Sequence, residues 1–438
     1  MKKKGKVSDF RYDTGAARVP WCAVGEPFNV DDIVRFIQFL LPCQEKKKQH
    51  YTAALNKVRT CLVQLGQVAG RAGKLTLGNE VLQAEAAAAK FLKVRYACLL
   101  TNATAGFEIG YKYAGLKAGD EVIAPAITFI STILYPLAVG AKVVLADVDP
   151  LTLNMDPADV ARKITPRTRV IVPVHLGGYP VDMAPIMKLA RSQDIVVIED
   201  AAHAFGAVYR GRMVGTIGDF GAFSFHEVKN VNTLGEGGLL VTNLPFGKQF
   251  PQARFVGLDP SRKIPNWLYD VLALKSKTGY AVPANHSATE IQALAFQLQL
   301  ARLKTIIAQR RKNAAYLTRR FAKVAGIIPQ KLDDKNFKST YHLYLLQLDP
   351  GQLNGDIQDF KKKLQAKGVV QIPHFAPLYK FSIMRQLGYD TAEIEKSCPV
   401  AEEAFRHRFT HLPLYPLTRE QLEYMADAVI DCVRSMRR

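Results

Sequence analysis

Three stretches of this sequence bring reactive side chains to the ends of apolar runs. The first is Phe220-Gly221-Ala222-Phe223-Ser224-Phe225-His226-Glu227-Val228-Lys229-Asn230, followed by Gly235-Glu236-Gly237-Gly238. A lysine is ordinarily a solvated surface group. Lys229 instead follows a strand-like run and precedes a glycine turn in which backbone can approach a ligand closely. Such a setting lowers an amine's pKa and makes it a Schiff-base nucleophile. The second stretch is Val196-Val197-Ile198-Glu199-Asp200-Ala201-Ala202-His203, where two carboxylates end a buried run. A charge there is costly unless something compensates it, which implies a cationic partner. The plainer alternative is an Asp capping the next turn. The third is Leu99-Leu100-Thr101-Asn102-Ala103-Thr104-Ala105-Gly106 leading into a helix at Phe107–Ala114. The free N–H groups of a helix start attract anions and Thr104 adds a hydroxyl, although an ordinary N-cap has the same look.

A phosphate cradle, a buried acid and an activated lysine are the parts that a pyridoxal 5'-phosphate (PLP) site requires. The phosphate sits on a helix N-terminus, an Asp keeps the pyridine nitrogen protonated, and a lysine forms the imine.

The elements that must hold these ends are legible as alternating patterns. Strand candidates fall at Tyr96–Thr101, Glu121–Pro125, Lys142–Asp147, Thr168–Pro173, Ile195–Asp200, Phe220–Phe225 and Gly238–Asn243. They are β-branched and almost wholly apolar, and helical segments separate them. That combination predicts a mostly parallel α/β sheet, which binds ligands at the carboxyl ends of its strands. From about Phe255 the pattern changes to a long helix at Thr289–Val324, striped by Leu294, Leu298 and Ile306. Strands at Tyr341–Leu348 and Gly368–Pro373 and a closing helix at Arg419–Arg434 follow. We expect an N-terminal segment at 1–74, a large α/β domain at 75–254 and a smaller C-terminal α+β domain at 255–438. Residues 43–74 carry a basic excursion that includes Lys46-Lys47-Lys48, with a helix inside it, behind an apolar helical patch, DDIVRFIQFLL.

Composition sets the outer limits. The chain has 438 residues, 48% hydrophobic, enough for a large core, and a net charge of +20 that favours anionic partners. Such partners include nucleic acid, a membrane surface and phosphorylated small molecules. No helix-turn-helix or aromatic RNA-binding signature is present, so nucleic acid is not the expected partner. The charge-free run Val122–Ala141 is long enough to cross a membrane, but Pro125, Pro136 and Gly140 fit a buried strand–turn–helix stretch better. No membrane partner is expected on that ground. Six cysteines without a CxxC pair, and no apolar stretch behind the basic N-terminus, point to a reducing, cytoplasmic setting. The histidines and cysteines show no metal-ligand spacing, and no metal is expected.

The sequence also resembles the DegT/DnrJ/StrS family of fold-type I, PLP-dependent sugar aminotransferases, over roughly residues 74–438. The carriers are EDAAHAFGAVYRGRMVGTIGDFGAFSFHEVKN (Glu199–Asn230) with its GEGG, GDEVIAPAITFISTILYPLAVGAKVVLADVD, PVHLGGYPVDM and HLPLYPLT (His411–Thr418). The resemblance implies a seven-stranded, mostly parallel sheet flanked by helices. It implies that Lys229 forms the Schiff base with PLP and that Asp200 pairs with the pyridinium. It puts His203, often Gln in the family, beside the phenolic oxygen and Phe129 on the ring. Thr104, Ala105 and Ser224 would bind the phosphate, joined by Asn285 from the neighbouring subunit, so a homodimer with shared active sites is implied. The implied reaction carries an amino group from Glu or Gln to a keto-sugar, expected to be nucleotide-linked, in polysaccharide or antibiotic sugar synthesis. An aminocyclitol acceptor is the alternative. Lysine rather than histidine at 229 favours transamination over sugar dehydration. Ser287 stands where the family commonly has Arg, and Ala103 replaces a Gly in the phosphate turn. His374 and Tyr379, in IPHFAPLY, resemble a substrate-facing loop, and His175 and His226 are further candidates for the pocket wall.

Overall fold

The computed structural model describes residues 28–69, 75–259, 270–370 and 375–438. Among these the chain divides into two compact units, one up to Gly78 and the other from Asn79 onward.

The first unit is a helical hairpin of α1 (Val30–Leu40) and α2 (Lys48–Val68). Asn29 and Asp32 form a capping box at the start of α1, each side chain accepting from the other's backbone N–H, so the helix begins where the apolar pattern does. No residue of either helix is fully buried.

The second unit is built on seven strands: β1 (Tyr96–Leu100), β2 (Glu121–Pro125), β3 (Lys142–Ala146), β4 (Thr168–Ile171), β5 (Val196–Asp200), β6 (Phe220–Ser224) and β7 (Gly238–Thr242). Their order is β1-β7-β6-β5-β4-β2-β3. Only β7 runs antiparallel to its neighbours, β1 and β6. All seven expected strands are present, and the fold is the α/β, mostly parallel sheet anticipated. Alternation along each strand supplies both faces. Val122, Val196 and Ile198 pack on one side with α4 (Ala103–Ala114), whereas Ile123 and Val197 pack on the other with α3 (Asn79–Leu92). The Val122–Ala141 run resolves into β2, a tight turn, a short helix and the approach to β3. Among the described residues no helix is long and apolar enough to cross a membrane.

Beyond the sheet, α5 (Glu290–Phe321) leads into a small antiparallel sheet of β8 (Ile327–Ile328), β9 (Tyr344–Leu348) and β10 (Phe409–Leu412). Its core is Leu317, Phe321, Leu346 and Leu412, closed by α6 (Ile357–Ala366) and α7 (Arg419–Ser435). Along the expected stripe of α5, Ile306 is buried but Leu294 and Leu298 are exposed. The strand expected at Gly368–Pro373 does not form over 368–370, and its remainder lies outside the described residues.

Candidate active site

The three strand ends converge at the carboxyl edge of the sheet. Asp200 closes β5 and pairs in parallel register with Ala222 of β6, two residues before Ser224. Period-2 alternation sends neighbouring Glu199 and Asp200 to opposite faces, and this decides their chemistry.

Glu199 is fully buried among donors. Its Oε1 accepts from the N–H groups of Ile217 and Gly218 at 2.6 Å, and Oε2 from Gly215 N–H at 2.8 Å. His175 contributes the last contact, Nε2 to Oε2 at 3.1 Å. Because His175 Nδ1 accepts from Val181 N–H, its proton is on Nε2. The compensation expected from a cation thus comes chiefly from backbone, and His175 is part of that network rather than of a pocket wall.

Asp200 is different. Its Oδ2 accepts from Thr132 Oγ1 at 2.8 Å and Oδ1 from Ala202 N–H at 3.1 Å, and among the described residues no cation is in contact. Burial raises its carboxyl above the ordinary value, opposed by those two bonds and by the charge on Lys229. Burial also pushes the Lys229 ammonium down to about 8, and Asp200 opposes that shift. Lys229 follows β6 in a turn closed by its N–H to His226 O at 2.9 Å. Its Nζ has no hydrogen-bond partner among the described residues, so the amine is available to react.

The helix start behaves partly as an ordinary cap. Asn102 Oδ1 accepts from Ala105 N–H at 2.9 Å. What the first turn of α4 leaves for an anion is the N–H groups of Ala103 and Thr104 and the Thr104 hydroxyl. Gly238 explains the glycine run: a Cβ there would lie 2.2 Å from the Asn102 carbonyl carbon. Its smallness therefore lets β7 pass beneath the phosphate turn, rather than admitting a ligand directly. Ser224, half-buried, accepts from His226 N–H at 3.3 Å. Phe129 lies in the loop after β2 with 61% of its surface exposed. Asn285 is exposed, its Oδ1 accepting from Ser287 N–H at 3.2 Å. The next carbonyl, of His286, accepts from Thr101 N–H at 3.2 Å, so this segment runs beside the phosphate turn of its own chain.

His203 is buried and locked. Its Nδ1 accepts from Gly177 N–H at 3.3 Å, which puts a proton on Nε2. Its ring stacks on that of His342 with centroids 4.5 Å apart, and Phe375 meets it edge-on. His342 was not anticipated. Its Nδ1 is 3.1 Å from Asn230 Oδ1, while Asn230 Nδ2 donates to Thr340 O at 3.4 Å. That fixes the amide orientation and makes Nδ1 the protonated nitrogen of His342. Burial first, then the positive charges of His203, Lys229, Arg310 and His411, depress the His342 pKa, keeping the ring neutral. Arg310 of α5 is buried. It donates to the carbonyls of Tyr341 and His342 at 3.3 and 3.0 Å, and burial pushes it down to about 10.

Thr132, Asn230, His342 and Arg310 are the site residues that sequence reading missed. Thr132 sat within a quoted motif, three residues after Phe129, but nothing local marked its partner. Of the remaining candidates, Tyr379 packs inward and donates to Glu402 Oε2 at 2.6 Å. His226 Nε2 faces Glu236 at 3.9 Å. His374 lies outside the described residues.

The donor set fits PLP. A buried carboxylate without a cation suits a pyridinium, an unpartnered amine suits an aldehyde, and open N–H groups at a helix start suit a phosphate.

Comparison with known proteins agrees. The sequence model of the DegT/DnrJ/EryC1/StrS aminotransferase family matches residues 62–430. GDP-perosamine synthase of Caulobacter vibrioides is 32% identical, over 74% of this chain and 84% of that protein. A putative L-glutamine:3-amino-2,3-dideoxy-scyllo-inosose aminotransferase of Streptoalloteichus tenebrarius is 37% identical over 67% of this chain and 68% of its own. Among solved structures, the putative sugar aminotransferase Spr1654 of Streptococcus pneumoniae superposes with a TM-score of 0.73 at 27% identity. That match covers 85% of this chain and 94% of the other in its PMP form, and the same protein is known in a PLP form.

Proposed function

The chain belongs to the DegT/DnrJ/EryC1/StrS aminotransferase family and is a PLP-dependent transaminase, and we propose that it carries an amino group from glutamate or glutamine to a nucleotide-linked keto-sugar. The observation that carries this reading is the pairing of an amine depressed to about 8, Lys229, with the buried carboxylate of Asp200, which no cation contacts among the described residues.

When bound, PLP supplies an aldehyde that condenses with amines and a protonated ring that accepts an electron pair. The chain's own residues do the rest. Asp200, steadied by Thr132, holds the proton on the ring nitrogen. The Thr104–Ala105 turn, with Ser224, would hold the phosphate, joined by Asn285 of a second subunit. Phe129 would cover the ring. His203, its proton fixed on Nε2, would donate to the phenolic oxygen. Lys229 Nζ is the base that takes the proton from Cα of the amino donor. In the second half-reaction it returns a proton to the carbon of the acceptor that becomes amino-bearing.

In this reading residues 75–254 carry the cofactor and residues 255–438 form the smaller domain. The working unit is a homodimer, a view supported by exposed Ile291, Leu294 and Leu298 along one face of α5. A cytoplasmic setting accords with the free state of Cys43, Cys61, Cys98, Cys398 and Cys432. The basic surface would steer an anionic nucleotide toward the site. The likeness to an aminoinosose aminotransferase favours one second reading, a keto-cyclitol acceptor.

The test is the visible absorption of the protein with PLP, before and after glutamate or glutamine, beside Lys229→Ala. A band that bleaches with donor in the wild type, and is absent from the variant, supports the first half-reaction. A band indifferent to Lys229→Ala overturns the lysine assignment. Nucleotide-linked keto-sugars and keto-inositols offered in parallel then separate the two acceptors.

A further inference from the structure

The hairpin of α1 and α2 lies largely ahead of the family-matched residues, and transamination leaves it without a role. Exposed apolar side chains occur at both ends of the hairpin: Phe28, Leu65 and Val68 at the open end, beside the acids Asp31 and Asp32, and a second group at the turn, beside the lysines. Phe36, Phe39, Leu40 and Leu41 are 50%, 77%, 55% and 66% exposed. Val30, Val34 and Ile37 face the other way and are half-buried, as are Tyr51, Leu55 and Leu62 of α2. Tyr51 OH donates to Leu41 O at 2.7 Å and ties the end of α1 to the start of α2, holding the tip in shape.

Charge is segregated along the same axis. Lys46, Lys47 and Lys48 follow the apolar tip, accompanied there by one carboxylate, Glu45. None of these lysines is in an ion pair among the described residues. The other acids of the hairpin sit at its opposite end and are engaged: Asp31 pairs with Arg59 at 2.8 Å, and Asp32 belongs to the α1 capping box. At 1.5 Å of rise per residue they are about 12–15 Å from Leu40 and Leu41.

An aromatic and leucine cluster rimmed by unpaired lysines matches a bilayer interface that is apolar just below an anionic surface. We propose that the tip formed by Phe36, Phe39, Leu40, Leu41 and Lys46–Lys48 docks the enzyme on an anionic lipid surface. This is attachment to one leaflet, and it revises the expectation that no membrane is involved. That expectation weighed only a spanning helix. A second copy of the chain is a poorer occupant, because it would set the same unpaired lysines against each other. Nucleic acid would satisfy the lysines but gives Leu40 and Leu41 nothing to enter.

The test is co-sedimentation of the full-length holoenzyme with phosphatidylcholine vesicles, with and without phosphatidylglycerol. Binding is expected only to the anionic vesicles. It should fall about tenfold or more in Phe39→Ser/Leu40→Ser, and comparably in Lys46→Gln/Lys47→Gln/Lys48→Gln. Both variants should keep the wild-type absorption spectrum with PLP, which reports that they fold. Equal binding to neutral vesicles, no binding at all, or binding indifferent to Phe39→Ser/Leu40→Ser overturns the proposal. So does a drop in oligomer mass in Phe39→Ser/Leu40→Ser without vesicle binding, which reassigns the tip to contact between copies. Salt-sensitive binding to DNA that survives loss of Phe39 and Leu40 reassigns it to nucleic acid.

Discussion

Thr132 Oγ1 donates to Asp200 Oδ2 at 2.8 Å, and the same hydroxyl is 3.0 Å from Thr128 Oγ1. One oxygen of the buried acid is thereby held by a neutral donor, and Thr132 is itself anchored by its carbonyl, which accepts from Tyr111 OH at 2.6 Å. Thr132→Val keeps the shape and removes the donor. A hydrogen bond to an ionised group contributes about 1.5–3 kcal/mol, so PLP affinity should weaken about ten- to a hundredfold. Absorbance titration of the variant with PLP measures it.

Lys229 yields a stability prediction with an unusual sign. The unfolded chain holds the ammonium proton up to its usual 10.5, whereas the folded chain releases it near 8. Between those values the unfolded state binds more protons, so stability of the cofactor-free protein rises with pH across that window. Below about pH 8 the cost of burying the cation is fully present. Lys229→Met should therefore be more stable than wild type at pH 7, by about 1–3 kcal/mol, with the gap closing by pH 10.5. Urea unfolding at the two pH values reads it directly.

Glu199 should matter to stability and not to cofactor chemistry. Glu199→Gln turns an NH₂ group toward the N–H groups of Ile217 and Gly218, or of Gly215, all of which now donate to the carboxylate. We expect a loss of about 2–4 kcal/mol in denaturant unfolding, since buried donors are left unmet. The absorption spectrum of PLP bound to the folded fraction should be unchanged.

Gly238→Ala tests the phosphate turn without touching any donor. Its Cβ would press on backbone of Asn102 and Ala103, displacing the start of α4. Affinity for PLP should fall about tenfold or more, and affinity for inorganic phosphate should fall with it.

Asn230→Ala probes the histidine pair. Without its carbonyl oxygen, His342 Nδ1–H loses its partner and the ring stacked on His203 can turn. Turnover should drop about tenfold, with thermal stability within about 1–2 kcal/mol of wild type. His342→Phe, which keeps the stacking surface, should recover part of the loss.

The sequence by itself determined what is local. Short β-branched, almost wholly apolar runs located the seven strands, and a helical apolar pattern the long helix, within a few residues. The small residues and charges at three strand ends marked Lys229, Asp200 and Thr104. The tertiary structure decided which of these ends carries a reactive group. Glu199 and Asp200 are adjacent and chemically alike, and only their opposite faces separate a backbone-bound anchor from an acid awaiting a cation. It also brought in Thr132, 68 residues from Asp200, and His342, 112 residues from Asn230. No local pattern encodes such pairs, because a hydrogen bond depends on where the chain returns. The lysine triplet was plain in the sequence, but whether Phe39 and Leu40 beside it were covered depended on packing. Hydrophobicity says that a side chain gains from burial, and only the fold says whether the chain has provided it.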